Sequence, residues 1–324
     1  MISKNILVSG CAGFVASNLI QRLLENEVNI YGIDDLSRGS INNMKCFDKN
    51  DRFHFYQLDI VNYEKLDDFL NELFKKGIQF NQIWHLAANS DISAGILDPK
   101  VDLDNTFKTT YNLIEIAKKY KINEFLFSST SAIYGDLGDI ELKENIGPLL
   151  PISNYGAMKL ASEAIISAAT ELFLERAYIF RFPNVIGIPA THGVIFDFLN
   201  KLKDTPEELE VLGNGTQQKA YLHISDLVNA MIFIHDKSKE KLNLFNIGNM
   251  DDGVTVKFIA EQVVNHSKNN AKIKYGFGNK GWKGDVPKFR YNVNKLLELG
   301  WKPKYSSQEA VIKAIKEIID QNEN

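Results

Sequence analysis

In Tyr155-Gly156-Ala157-Met158-Lys159 a tyrosine stands four residues ahead of a lysine. At helical spacing the two side chains share one face. Upstream lies Ser128-Ser129-Thr130, and the chain opens with Gly10-Cys11-Ala12-Gly13-Phe14-Val15-Ala16 directly after the apolar run Ile6-Leu7-Val8. A phosphate-cradling loop, a hydroxyl residue, a tyrosine and a lysine, in that order, suit hydride transfer between a nicotinamide and a carbon bearing a hydroxyl group. A free tyrosine titrates near pH 10, so service as a base near pH 7 asks for about three pH units, or about 4 kcal/mol. A nearby ammonium and a cationic nicotinamide favour the phenolate in a poorly solvated site. Lys159 can also hold the nicotinamide ribose, and Thr130 can hydrogen-bond the same substrate oxygen and share or relay its proton. Singly, Tyr155 reads as a half-buried helix residue and residues 128–131 as a strand-end turn. Together, behind a dinucleotide loop, they read as catalytic.

The glycine loop explains how such a cofactor would be held. Gly10 permits the tight turn, and Gly13 lets the backbone N–H groups of Phe14 and Val15 face a pyrophosphate at a helix N-terminus. The third small position is Ala16, where glycine is more usual. The bland reading is a loop that merely turns the chain; its place between a strand and a helix favours binding. Cys11, in the same loop, reads as a small buried filler rather than an activated thiol. The second strand ends in Asp34-Asp35. A carboxylate there accepts hydrogen bonds from an adenosine ribose and repels a 2′-phosphate, which favours NAD over NADP. Arg38 argues the other way, since an arginine can accommodate that phosphate, and Asp35 can equally be a solvated acidic turn. Asp59 is placed to meet the adenine edge or to start a turn. His85 reads as a hydrogen-bonded structural histidine, and His192 and His223 lack metal-like partners, so no metal is expected.

These residues need elements to position them. Segments 6–9, 29–34, 53–59, 82–87, 124–129 and 177–182 are strand-like, and 14–25, 62–75, 103–120 and 155–173 are helical. Such alternation implies an α/β fold: a doubly wound, Rossmann-like parallel sheet covered on both faces, with ligands at the carboxyl ends of the strands. After Pro183 the alternation breaks into a glycine- and proline-rich stretch that reads as substrate-domain loops. A helix follows at 222–236 and a strand at 244–247. Ser306-Ser307-Gln308-Glu309 reads as a capping box ahead of Val311, Ile315, Ile318 and Ile319. The expected division is a dinucleotide-binding domain at 1–182, with 217–247 returning to it, and a smaller interleaved α/β substrate domain at 183–216 and 248–324.

Composition is that of an ordinary globular chain: 324 residues, 44% hydrophobic and 24% charged. The net charge of −4 gives no sign of a nucleic-acid or membrane partner. No apolar run reaches transmembrane length, the start lacks a signal-like stretch, and two cysteines suggest no disulfide framework, so the expected location is the cytoplasm.

Over nearly its whole length the chain resembles the extended short-chain dehydrogenases that act on nucleotide sugars, close to the UDP-glucose 4-epimerase type. The resemblance rests on the glycine loop, on Asp34-Asp35-Leu36-Ser37-Arg38-Gly39, on His85-Leu86-Ala87-Ala88, on Ser128-Ser129-Thr130-Ser131-Ala132-Ile133-Tyr134-Gly135, and on Arg181-Phe182-Pro183-Asn184-Val185-Ile186-Gly187. Residues 209–226 and Gly281-Trp282-Lys283-Gly284-Asp285-Val286 resemble later substrate-side motifs. It implies a cofactor site that includes Ser37, Ile60, Leu86, Ala87, Ala88 and Phe182, and a substrate site formed by Ser90, Thr130, Asn184, Val194, Lys219 and Tyr221. It also implies a homodimer joined through helices near 103–120 and 155–173. Lys219 departs from the arginine often found there, keeping the charge without the bidentate fork.

The resemblance implies a 4-epimerase with NAD as retained cofactor, UDP-hexose being favoured. Tyr155 takes the C4 hydroxyl proton, hydride leaves C4, the 4-keto sugar turns over, and hydride returns to the other face. A nucleotide-sugar dehydrogenase or reductase on the same site is the alternative, and a non-catalytic dinucleotide sensor a third. Dehydratase relatives carry an acidic residue two positions after the threonine, often with another directly after it. Ser131 and Ala132 follow Thr130 here, so loss of the C6 hydroxyl is not expected.

Overall fold

The computed structural model describes residues 4–138, 140–267, 270–278 and 290–323. The apolar run after Lys4 forms a strand buried on both faces, with Leu7 and Val8 fully inaccessible. Such runs belong in the middle of a parallel sheet, where helices cover both sides. Seven strands make that sheet: β1 (Lys4–Ser9), β2 (Val28–Asp34), β3 (Phe53–Gln57), β4 (Gln82–His85), β5 (Glu124–Ser128), β6 (Arg176–Arg181) and β7 (Leu242–Asn246). Their order is β7-β6-β5-β4-β1-β2-β3. The chain winds outward from β1 through β2 and β3, then crosses back to β4 on the other side. Ile6 accordingly pairs with Ile30 on one side and Gln82 on the other, parallel both times. The reversal puts a crevice beyond the carboxyl ends of β1 and β4, which is where open α/β sheets bind ligands.

Helices α1 (Phe14–Leu23), α2 (Tyr63–Lys75), α3 (Ile92–Leu97), α4 (Pro99–Asp102), α5 (Thr109–Tyr120) and α6 (Asn154–Leu172) belong to this part of the chain. In α2 the Asn62 side chain caps the Lys65 N–H at 3.0 Å, and Leu66, Leu70 and Leu73 present one buried stripe. They join Ile83, Leu113, Ile116, Phe125, Phe127 and Ile166 in one core. The helix expected over 103–120 is α-helical only from Thr109, because Leu103–Lys108 is wound as a π-helix. Wide turns of this kind often accompany functional sites.

Two compact units make up the chain: residues 1–133, 150–181 and 235–245 in the first, and 134–149, 182–234 and 246–324 in the second. The expected boundaries differ at 134–149, at Phe182 and within 217–247. Residues 134–149 fall in the second unit because Tyr134 donates to Asn246 Oδ1 at 2.7 Å and Glu141–Leu142 pairs with Arg290–Tyr291. Of 217–247, only 235–245 fall in the first, since Asp226 accepts the N–H groups of Lys304 and Tyr305 at 3.0 and 3.1 Å.

The stretch after Pro183 is more ordered than its glycines suggest. It holds a strand at Asn184–Ile186, helix α7 (Val194–Asp204) and a strand at Glu208–Val211. Ile195, Phe198, Leu199 and Leu202 recur at helical spacing and are buried, a pattern that the flanking glycines and prolines obscure. The second unit also holds α9 (Val256–His266), α10 (Asn294–Glu298) and α11 (Ser307–Glu323), with α8 (Ile224–Lys237) beginning there. The capping box is reciprocal: Ser306 N–H donates to Glu309 Oε2 at 2.9 Å, and Glu309 N–H to Ser306 Oγ at 3.2 Å. Among the described residues no helix is long and apolar enough to cross a membrane. The motif at 281–286 lies outside the described residues.

Candidate active site

Thr130, Tyr155 and Lys159 all lie in the first unit. Ser153 caps the start of α6 by accepting the Gly156 N–H at 3.1 Å. That fixes Tyr155 in the first turn and Lys159 one turn on. Gly156 is needed here, since a Cβ would stand 2.6 Å from the Ala132 carbonyl oxygen. The helix therefore rests directly on the turn that follows Thr130.

Lys159 is 1% exposed, an unusual position for an ammonium. Its Nζ donates to the Ser128 carbonyl at 2.5 Å and sits 4.5 Å from the centre of the Phe127 ring. Burial lowers its pKa to about 7, with Glu163 pulling in the other direction. The Tyr155 phenol moves oppositely: burial raises it to about 12, Thr130 lowers it by hydrogen bonding, and Asp102 raises it further. Thr130 Oγ1 accepts the Ala132 N–H at 3.1 Å, which leaves its own proton to donate to the Tyr155 oxygen.

In the protein alone the lysine lies near the phenol, and Thr130 is the group that lowers the phenol. The lysine Nζ lies 5.9 Å from the Tyr155 ring centre and is drawn to the Ser128 carbonyl.

His85 is fully buried, with Nδ1 2.7 Å from Ser9 Oγ and Nε2 3.0 Å from Thr110 Oγ1. Burial and then Lys159 hold it well below the usual histidine range, so it is a neutral structural residue, as read.

At the end of β1, Gly10 has φ +72°, and a Cβ there would lie 2.7 Å from Ala87 N. The turn thereby presses against the Leu86-Ala87-Ala88 strand end. Gly13 donates to Gly10 O at 2.9 Å and accepts from Ser17 N–H at 3.0 Å, which opens α1 without a side-chain cap. The first N–H groups of a helix have no partner within it, and here Phe14, Val15 and Ala16 supply them. An uncapped helix start at a glycine turn fits a dinucleotide pyrophosphate. Ala16 and Cys11 are buried, and burial pushes the Cys11 thiol up, so it is inert filler.

Asp34 is 8% exposed and accepts the N–H groups of Leu36 at 2.8 Å and Ala12 at 3.0 Å. Burial raises its pKa while those two donors oppose the rise. It is held at the strand end with acceptor capacity left for a ribose hydroxyl. Asp35 instead accepts the N–H and hydroxyl of Ser37 at 2.9 and 2.6 Å and closes its own turn. Arg38 pairs with Asp91 at 2.9 Å, which offsets its appeal to a phosphate. Asp59 accepts Val61 N–H at 2.8 Å, and Ile60, buried beside it, gives its carbonyl to Asn112 at 2.8 Å.

Ser90 is exposed beyond the buried Asn89. In the second unit, Asn184 and Tyr221 are register partners on adjacent parallel strands. Lys219 pairs with Val254 in a short antiparallel ladder, Val194 opens α7, and Phe182 begins a segment of that unit.

Two features escaped the sequence reading. Asp102 is fully buried, accepting from Asn89 Nδ2 at 2.8 Å, and nothing local marks it. Glu163 lies one turn beyond Lys159 and pairs with Arg181; a carboxylate continuing the Tyr155-Lys159 spacing is the signal that was available.

Known proteins resemble this chain over nearly its whole length. The family model described as "NAD dependent epimerase/dehydratase family" matches residues 6–248. The UDP-glucose 4-epimerase of Lacticaseibacillus casei is 28% identical, over 95% of this chain and 94% of that protein. The human dTDP-D-glucose 4,6-dehydratase is 26% identical, over 97% and 89%. The crystal structure of Thermotoga maritima UDP-glucose 4-epimerase with UDP-glucose superposes with a TM-score of 0.85 at 27% identity, covering 98% of this chain and 99% of that one. With this match over residues 6–248, the chain belongs to the NAD-dependent epimerase/dehydratase family.

Proposed function

We propose that this protein is a nucleotide-sugar 4-epimerase, with UDP-hexoses as the favoured substrates and NAD as a retained cofactor. The carrying observation is the Thr130-Tyr155 hydrogen bond beside buried Lys159, with no carboxylate at positions 131 and 132. NAD, when bound, supplies the hydride acceptor and donor. Gly10, Gly13, Phe14 and Val15 would hold its pyrophosphate, Asp34 its adenosine ribose, and Lys159 its nicotinamide ribose. Residues 59–60, 86–88 and Phe182 would line the remainder.

Tyr155 takes the proton of the C4 hydroxyl and later returns it to the C4 oxygen, while Thr130 hydrogen-bonds that oxygen and relays the proton. With its phenol at about 12, Tyr155 needs about five pH units, or about 7 kcal/mol, from bound positive charge and from Thr130. Such stabilisation is within reach of a dry, preorganised site. Ser131 and Ala132 offer no acid for the C6 hydroxyl or base for the C5 proton, which supports epimerisation over dehydration. Asn184, Val194, Lys219, Tyr221 and Ser90 are the proposed contacts to the sugar nucleotide. Both cysteines are unpaired, which supports a cytoplasmic setting. Leu103 and Tyr111, 46% and 48% exposed, and Leu172, 79% exposed, support a dimer through the α5 and α6 region.

The test is turnover of UDP-hexoses in heavy water, followed by NMR. Internal return of hydride leaves the sugar carbons free of solvent deuterium. Deuterium at C5, or loss of the C6 oxygen, refutes the assignment. Accumulation of reduced cofactor with an equivalent of keto sugar replaces it with a dehydrogenase.

A further inference from the structure

The side of α6 that carries Tyr155 and Lys159 continues, one turn on, into Glu163, which is 5% exposed. Its carboxylate is fully engaged. Arg181, 4% exposed at the end of β6, donates from Nε at 3.0 Å to Oε1 and from Nη2 at 2.6 Å to Oε2. Ser129 donates its hydroxyl to Oε1 at 2.5 Å. Ser129 directly precedes Thr130, and its N–H donates to the Phe180 carbonyl at 2.7 Å, one residue short of Arg181. A single buried carboxylate therefore joins three pieces: the reactive helix, the strand end bearing Thr130, and the strand end that leads to Phe182 and Asn184. Breaking a buried pair of this kind is costly, because it strands the remaining charge.

We propose that Glu163 is a positioning residue of this site, a buried carboxylate that locks the helix face bearing Tyr155 and Lys159 to the strand end bearing Thr130 and supplies the negative charge facing Lys159. The proposal rests on Thr130, Tyr155 and Lys159 being the reacting group. The ionisable groups around Lys159 are Tyr155 and Glu163 on its own helix and His85 on β4; Asp102 acts on Tyr155, and Arg181 faces Glu163. Of these, Glu163 is the charge that raises the proton affinity of Lys159.

The test reads Lys159 directly, without substrate. Full-length protein labelled with 13Cε-lysine is titrated by NMR, the Lys159 signal being assigned by its loss in Lys159→Met. Glu163→Gln removes the charge at constant shape. Glu163→Gln combined with Arg181→Gln leaves no stranded guanidinium, so it keeps the test open where the single variant does not fold. In Glu163→Gln the proton affinity of Lys159 is expected to fall by at least about tenfold, moving its midpoint down by about one pH unit or more, and in the double variant, which also removes the repelling Arg181 charge, by at least about threefold. Glu163→Asp keeps the charge and should restore most of it. An unmoved midpoint in the folded double variant overturns the proposal and leaves Glu163 a purely structural residue. With UDP-hexose turnover, the alkaline limb of kcat should move down with the midpoint while KM changes less than about threefold. Absence of turnover in the wild type would count against the proposed reaction, and the titration would still decide the role of Glu163.

Discussion

Replacing Lys159 by methionine should change how stability depends on pH, and the structure sets the size of the effect. The ordinary lysine value is 10.5, and burial takes Lys159 to about 7. Below pH 7 the folded and unfolded chains both bind this proton. Between about 7 and 10.5 the unfolded chain binds more, so stability must rise with pH, by up to about 1.4 kcal/mol per unit. Above 10.5 neither binds it, and the contribution is flat. The full span corresponds to about 5 kcal/mol, which is half or more of the stability of many domains. Methionine has a similar length, fills the space over Phe127 and cannot titrate. It gives up the bond to the Ser128 carbonyl, worth about 1 kcal/mol. Near pH 7 the variant should therefore be the more stable protein by a few kcal/mol, and the wild type should close the gap by pH 10. Urea unfolding of cofactor-stripped protein at constant ionic strength measures this, provided the two m-values agree. Tyr155, present in both, cancels in the difference. If the difference stays constant within about 0.5 kcal/mol from pH 6.5 to 10, Lys159 titrates as an ordinary lysine and the account of its burial is wrong. A lysine kept at this cost in stability is what a site under functional demand looks like.

Three other outcomes are expected. Tyr155→Phe should lower kcat by about two to four orders of magnitude while melting temperature and NAD binding hold, and near-normal turnover would remove Tyr155 from the reaction. Asp34→Ala should narrow the preference for NAD over NADP by about tenfold or more in calorimetry on stripped protein; tighter NADP binding by the wild type would put Arg38 in charge of that pocket. Gly10→Ala forces a side chain at φ +72° and 2.7 Å from Ala87 N. A loss of about 2 kcal/mol and of co-purifying nucleotide should show in thermal melts and absorbance, and an unchanged variant would mean the turn is not held as described.

Much of the fold could be read along the chain because it depends on local pattern. Strands buried on both faces read as continuous apolar runs, and α2 and α11 show their stripes and caps in sequence. The glycine turn, Asp34, Thr130, Tyr155 and Lys159 were legible for a related reason: each sits at a strand end or on a helix face whose spacing is local. Helix α7 was missed because glycines and prolines flank its apolar stripe. The π-wound turn at Leu103–Lys108 was missed because its sequence fits an ordinary helix equally well.

Tertiary structure decided whatever depends on distance through space and on burial. Which aspartate is held buried at the strand end and which closes its own turn follows from the N–H groups that Leu36 and Ala12 give to Asp34 and that Ser37 gives to Asp35. The direction of proton affinities was equally hidden. Sequence spacing put Lys159 beside Tyr155 and suggested an ammonium lowering a phenol. In the protein alone, burial lowers the lysine to about 7 and raises the tyrosine to about 12. Desolvation penalises both charged forms, and only packing shows how dry a site is. The Glu163-Arg181-Ser129 clamp joins residues from three segments, so no stretch of sequence contains it. Residue types and local spacing determined what chemistry the chain can carry, and packing determined which atoms meet and which of them hold protons.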